Sequence, residues 1–385
     1  MNKIEVLRTT PRILMGSGAI RQIAQEVFSL NGKKILIITD KGLLKAGIIQ
    51  MIETELRKSG VKYAIFDGVE PDPRYEIIKD CVDQIKRENI NLVIGVGGGS
   101  SIDIAKTSAV MATNKGSVSD YFGVDLLPKP GLPTIMLPTT AGTGSEVTPI
   151  AILSDEGEKL KKGVVSPFLF PAVAILDPEL TLNLPPHITA ATGMDALIHA
   201  IESYTSIFAT DITDMLAFHA MELLYHNIRT AFANGGNLEA RSKMLEGSLL
   251  AGIAFGNAGV TAVHAFAYPI GAEYHIPHGV ANTLMLPHVM RVNLLGNISK
   301  FAKIPKAFSL SVEGLDDLRA AELFIEAIVR LAEDLRVPKS LAEFGVTESD
   351  IPRLAEGVMK VTRLLANNPR VLTVDDAKEI YTAAL

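Results

Sequence analysis

The sequence predicts an α/β amino-terminal domain built on a parallel, Rossmann-like sheet, joined to an all-α carboxy-terminal domain. Three observations carry that expectation. Short β-branched runs alternate with helical stretches through the first half of the chain. A glycine-rich turn follows one of those runs. After Pro185 and Pro186 helical periodicity takes over and strand candidates become few.

Taken in order, KKILIITD (33–40) reads as a strand, followed by a helical stretch through LLKAGIIQMIETELRKSG. VKYAIFDG (61–68) is a second strand, and a helical pattern runs from Tyr75 to Asn89. NLVIGVG (91–97) is a third strand, and a helix follows from Ser101. LPTIMLPTT (132–140), VTPIAILS (147–154) and AVAILD (172–177) read as further strands. Alternation of this kind implies parallel βαβ units. The change of rhythm sets the expected boundary near residue 182, giving domains 1–181 and 182–385.

A chain of 385 residues with 48% hydrophobic and 21% charged residues can bury a sizeable core. Its net charge is −6, its pI is near 5.8, and the basic residues are scattered, which favours neither nucleic acid nor an anionic membrane. Cys81 is the only cysteine, so an intrachain disulfide and a thiolate metal cluster are excluded. The start of the chain has no apolar core or small-residue site of a signal peptide, and a cytoplasmic protein is expected. Residues 247–272 carry no formal charge and are long enough to span a bilayer. Asn257, Thr261 and His264 sit within that stretch and Pro269 near its end. A buried helix of a soluble domain is therefore expected, with Pro269 breaking its end.

GVGGGSSIDIAK (95–106) follows a strand and opens a helix. Glycines let a backbone approach phosphate closely, and helix-start N–H groups attract anions. The dinucleotide fingerprint is nearly matched, with Ser100 where its last glycine would stand. A tight strand–helix turn would read the same way. A second small-residue loop, PTTAGTGSEVT (138–148), tips the balance toward a ligand crevice at the carboxyl edge of the sheet. Asp40, ending the first clear strand, suits ribose hydroxyls or the cap of the next helix.

All eight histidines lie between residues 187 and 288. On a helix through GMDALIHAIE (193–202), Met194, Leu197, Ile198 and Ile201 share one face, and Asp195, His199 and Glu202 form a polar strip beside it. Asp195 and His199 can point at one atom. His264 and His278 are the candidates to complete a set of one carboxylate and three imidazoles, suited to a borderline cation such as Fe²⁺ or Zn²⁺. The alternative for each of the four, an ordinary core or surface residue, is only modestly less favoured, and it is the expected role of His187, His219, His226, His275 and His288.

Four motifs, GGGSSIDIAK (97–106), PTTAGTGSEVT (138–148), TAATGMDALIHAIESY (189–204) and HAFAYPIGAEYHIPHG (264–279), closely resemble those of the iron-containing, group III alcohol dehydrogenases, in the same order. The resemblance implies an NAD-dependent oxidoreductase that uses a divalent metal, Fe²⁺ before Zn²⁺, Mn²⁺ or Ni²⁺. It implies metal ligands at Asp195, His199, His264 and His278. It places pyrophosphate at Gly97, Gly98, Gly99 and Ser100, with Asp103 supporting that loop. It assigns cofactor contacts to Asp40, Asp72, Thr139, Thr140, Thr143, Ser145 and Lys162. The expected reaction is hydride transfer between an alcohol or aldehyde and nicotinamide in the cleft between the domains, carried out by a homodimer. Tyr268 replaces a histidine common in the family, so it borders the expected substrate pocket. The alternatives are a dehydroquinate synthase-like or glycerol dehydrogenase-like relative, or a nucleotide-sensing module without turnover. The stretch 255–279 has no Lys or Arg, which disfavours a phosphorylated substrate.

Overall fold

The computed structural model describes residues 4–157 and 160–385. Two compact units form, one of Arg8–Leu184 and the other of Pro185–Leu385 with residues 4–7.

Among the described residues the first unit has nine strands: β1 (Ile13–Met15), β2 (Lys34–Ile38), β3 (Lys62–Phe66), β4 (Leu92–Gly97), β5 (Gly123–Val124), β6 (Thr134–Pro138), β7 (Ile150–Asp155), β8 (Leu160–Val165) and β9 (Val173–Leu176). Six of them form one sheet in the order β1-β9-β6-β4-β2-β3, with every neighbouring pair parallel. Its helices are α1 (Ile23–Ser29), α2 (Lys41–Lys45), α3 (Ile48–Lys58), α4 (Ile77–Glu88) and α5 (Gly99–Met111). Strand alternation splits the core in two. Leu36, Ile38, Val93 and Met136 pack with Ile78 and Cys81 of α4 and with Ile102 and Ala105 of α5. Ile35, Ile37, Ile94 and Ile135 pack with Val27 of α1 and with Ile49 and Leu56 of α3. A parallel sheet buried on both faces explains why these strands read as continuous apolar runs.

Two local expectations need correction. The single helix expected across 43–60 is two, α2 and α3, divided at Gly47 with φ 80°. The run VTPIAILS is not part of the parallel sheet. Ser145–Val147 is a 3-10 turn, and β7 begins after Pro149 and pairs antiparallel with β8 in a separate sheet of order β5-β8-β7. Pro149 has no N–H to give a ladder. The expectation overlooked β8, LKKGVV, because its two lysines hide a strand pattern.

Among the described residues no strand follows Leu176. The second unit is helical, with α6 (Pro186–Thr205), α7 (Asp211–Ala233), α8 (Leu238–Ala258), α9 (Ala262–Tyr274) and α10 (His278–Asn293), followed by longer helices at Asp317–Asp334, Ile351–Met359 and Val374–Ala384. The uncharged stretch 247–272 is not one helix. It breaks at Gly259, whose φ of 78° is left-handed, and α8 and α9 diverge by 101°. No single described helix is long and apolar enough to cross a membrane. Pro269 does not end the segment either, because it lies inside α9, which runs on to Tyr274. His278 is the first residue of α10.

Candidate functional site

In the α/β unit, β4 runs straight into the glycine turn. Gly97 has φ 149°, and a Cβ there would stand 2.6 Å from Ser101 Oγ. A Cβ on Gly99 would stand 2.7 Å from the Thr143 side chain. Only glycine lets this turn press so closely against the threonine loop. Thr139 N–H donates to the Gly97 carbonyl at 3.0 Å, tying the two loops at their roots. Gly98 is the N-cap of α5 in extended conformation, and no side chain caps that helix. The first N–H groups of a helix have no acceptor inside it, so an uncapped start of this kind suits an anion.

Asp103 and Lys106, one turn into α5, lock the second loop in place. The Asp103 carboxylate accepts Ser145 Oγ and, at 2.8 Å, the N–H of Ile152. The Lys106 ammonium donates to the carbonyls of Ser145 at 2.9 Å and Thr148 at 3.3 Å, and lies 3.5 Å from Asp103. Burial raises the Asp103 carboxyl and lowers the Lys106 ammonium, while their attraction opposes both shifts. Thr143 Oγ1 accepts the Ser145 N–H at 3.3 Å. Thr140 sits across from Gly98. Gly97, Gly98, Gly99, Ser100, Asp103, Thr139, Thr140, Thr143 and Ser145 thus meet at one end of β4 and β6.

The remaining expected cofactor residues have partners of their own. Asp40 caps α2, accepting from Gly42 N at 2.7 Å and Leu43 N at 3.0 Å. Asp72 adopts φ 48° and its carboxylate meets Lys161 at 2.5 Å. Lys162 pairs with Asp155 at 2.9 Å and lies over the Phe122 ring at 5.4 Å.

In the helical unit, α6 carries Asp195 and His199, α9 carries His264 and α10 carries His278. Ligand atoms of Asp195, His199 and His264 all lie within 4.8 Å of one another, and all three residues are buried. Asp195 Oδ1 is 3.6 Å from His264 Nε2 and 3.7 Å from His278 Nε2. His278 stands at the rim, with its side chain about 31% exposed. The start of α10 is seated directly on α6, since a Cβ on Gly279 would fall 2.1 Å from the Ala191 carbonyl oxygen. The His199 ring stacks between Phe255 at 4.3 Å and His264 at 4.6 Å. Tyr268, one turn after His264 on α9, has its ring centroid 6.3 Å from that of His278.

The electrostatics are those of a cation site. Burial alone would raise the Asp195 carboxyl, but the surrounding His199, His278 and His264 hold it well below the usual carboxylate range. Burial would lower His264, yet Glu202 and Asp195 outweigh it and push the imidazole up to about 9. Positive charge is thus strongly favoured beside the buried group of Asp195, His199 and His264, and His278, nearest to Asp195, lies outside that three-residue group. His264 Nε2 is buried and has no hydrogen-bond partner among the described residues. An orphaned imidazole nitrogen beside a buried carboxylate is costly, and a divalent cation fits this donor set.

Three contributing residues escaped the sequence reading. Glu202 was visible as part of the polar strip but was given no role, although it bonds His264 Nδ1. Asn282, four residues after His278 on α10, donates Nδ2 to Asp195 Oδ1 at 2.7 Å. Lys106 follows Asp103 by one helical turn. The available signal was helical spacing from an already selected residue.

With this geometry in view, the matches to known proteins have a structural meaning. Residues 10–178 match the family described as iron-containing alcohol dehydrogenase, and 189–385 match the carboxy-terminal part of the same family. The chain is 42% identical over 373 residues to long-chain-alcohol dehydrogenase 1 of Geobacillus thermodenitrificans, covering 96% of this chain and 94% of that one. It is 39% identical over 375 residues to the NAD-dependent methanol dehydrogenase of Bacillus methanolicus, covering 97% and 98%. A crystal structure of 1,3-propanediol oxidoreductase superposes with a TM-score of 0.97 at 41% identity, covering all of both chains. The chain belongs to the iron-containing alcohol dehydrogenase family. It is an NAD(H)-linked oxidoreductase acting as an alcohol dehydrogenase or aldehyde reductase, with a divalent metal as its second cofactor.

Proposed function

We propose that Asp195, His199, His264 and His278 hold one divalent cation, Fe²⁺ by preference, and that the chain moves hydride between a small alcohol or aldehyde and NAD(H). The observation that carries this reading is the buried convergence of Asp195, His199 and the orphaned His264 Nε2. A bound divalent cation supplies Lewis acidity, lowering the pKa of an alcohol hydroxyl or polarising an aldehyde carbonyl.

The chain's own residues do the holding. Asp195 contributes the negative charge, and Asn282 orients its carboxylate. Packing against Phe255 keeps the His199 ring from turning. Tyr268 forms a wall of the pocket, in keeping with its place one turn from His264, and limits how bulky a substrate can be. On the nucleotide side, N–H groups of Gly97, Gly98, Gly99 and Ser100 at the start of α5 receive the pyrophosphate, with Asp103 bracing the loop. Thr139, Thr140, Thr143 and Ser145 supply hydroxyls and backbone N–H groups. Asp40 accepts from ribose hydroxyls while capping α2, and Asp72 and Lys162 stand beside the cofactor. Residues 1–181 serve the nucleotide and residues 182–385 the metal. A cytoplasmic homodimer is the assembly that the family resemblance supports.

The test is a panel of alcohols and aldehydes assayed at the NADH absorbance band, after anaerobic loading with Fe²⁺, Zn²⁺, Mn²⁺ or Ni²⁺. Turnover that depends on both metal and NAD(H) is expected. NAD(H) binding with no turnover under any loading would favour a nucleotide-sensing module instead.

A further inference from the structure

We infer that Glu202 is a positioning residue for His264. It keeps the imidazole proton on Nδ1, so that Nε2 presents its lone pair to the space shared with Asp195 and His199. The inference rests on the metal centre proposed above and adds a residue outside the four ligands.

Glu202 lies on α6, seven residues after Asp195, and is fully buried. A buried carboxylate must be satisfied by donors. Its partners all come from the start of α9. Oε1 accepts Thr261 Oγ1 and the N–H of Val263, each at 2.7 Å, and Oε2 is bonded to His264 Nδ1. The first N–H groups of a helix have no acceptor inside it, and negative charge is favoured there. One side chain therefore fixes the end of the helix and the ring that this helix carries. Asn368 Oδ1 completes the anchor by accepting the Ala262 N–H at 3.4 Å.

The division of work between the two oxygens decides what His264 can do. An ionised carboxylate only accepts, so Nδ1 must be the donor. In the neutral ring Nε2 is then bare, and Nε2 is the atom left buried without a partner. A carboxylate behind a histidine fixes its tautomer and orientation in this way. Glutamine has nearly the same shape and the opposite consequence. Its oxygen would stay with Thr261 and Val263, and its NH₂ group would face Nδ1. Nδ1 would then accept, and the ring proton would move to Nε2, where it blocks a cation.

The experiment measures Zn²⁺ affinity by chelator competition on the metal-free protein, for the parent, Glu202→Gln, His264→Ala and the double variant. Melting of the metal-free forms is recorded alongside. Glu202→Gln is expected to remain folded and to weaken Zn²⁺ binding about 10- to 100-fold. In the His264→Ala background the same change is expected to cost nothing further, because both act through one nitrogen. An equal loss in both backgrounds would overturn the inference and reduce Glu202 to a packing residue, as would unchanged affinity in Glu202→Gln. If the glutamine variant does not fold, Glu202→Asp enters the same cycle. It keeps the charge but draws back from Nδ1, and its loss must likewise vanish without His264 or the inference fails. A parent that binds no Zn²⁺ would instead sink the metal centre itself.

Discussion

The two units build their sites from different materials. In Arg8–Leu184 the candidate nucleotide site is made largely of backbone, from two loops at the ends of β4 and β6 and the uncapped start of α5. In the helical unit the candidate metal site is made of side chains delivered by α6, α9 and α10, each held by a neighbour. A backbone site depends on what is missing, since its glycines must carry no Cβ. A side-chain site depends on what is present and on which way it points. The two should fail separately and through different kinds of substitution.

The largest effect expected is from metal removal. Stripping the protein with a chelator should abolish turnover, and NADH binding measured by fluorescence should survive. Loss of both together would mean that the two sites are not separable. Next is Gly97→Ala, which forces a Cβ into a left-handed position 2.6 Å from Ser101 Oγ. It should cost about 1–3 kcal/mol in the α/β unit and weaken NAD binding roughly tenfold. Metal content by elemental analysis should not change. A smaller shift is expected for Asp40→Gly. Glycine is nearly as good a cap as aspartate, so stability should fall by only about a few tenths of a kcal/mol. NADP use should improve several-fold as a carboxylate facing the 2′-phosphate is removed. An unchanged ratio of kcat/KM values for the two cofactors would leave Asp40 as a helix cap alone.

A pH-dependent effect that leaves both sites intact is expected at Glu146, buried in the threonine loop and pushed up to about 7 by burial against the pull of its own backbone N–H and of Lys106. The folded protein then holds this proton more tightly than the unfolded chain does. Stability from this group is present at acid pH and is lost as pH climbs from about 4.5 through about 7. Glu146→Gln should flatten that slope, gaining on the parent by no more than about 3 kcal/mol at pH 8 relative to pH 4. Denaturant midpoints for parent and variant at the two pH values would show it, and parallel slopes would contradict it.

The same contrast governs how much could be read in the sequence. Glycines and threonines in GVGGGSS and PTTAGTGSEVT point to a backbone site only as a pair, because a tight strand–helix turn alone would read the same way as the first of them. Asp195 and His199 could be paired because helical spacing is a local rule. His264 and His278 could be matched to them only as candidates, since no local rule joins α6 to α9 or α10. What stayed hidden was hidden for physical reasons. Gly259 breaks a stretch whose composition reads as a single helix, and Pro269, a helix breaker by rule, is carried within α9. The β8 strand was masked by the lysines at 161 and 162, one of which pairs with Asp72 and the other with Asp155. Glu202 and Asn282 act on other side chains, a relation that becomes visible only when the helices are packed.

Metal content and turnover of His264→Ala, measured on one preparation beside the parent, test the central claim most directly. The four-ligand centre predicts that iron or zinc falls far below one per chain and that activity falls with it, while NADH still binds. Full metal occupancy in His264→Ala, with or without activity, would remove His264 from the centre and contradict the account.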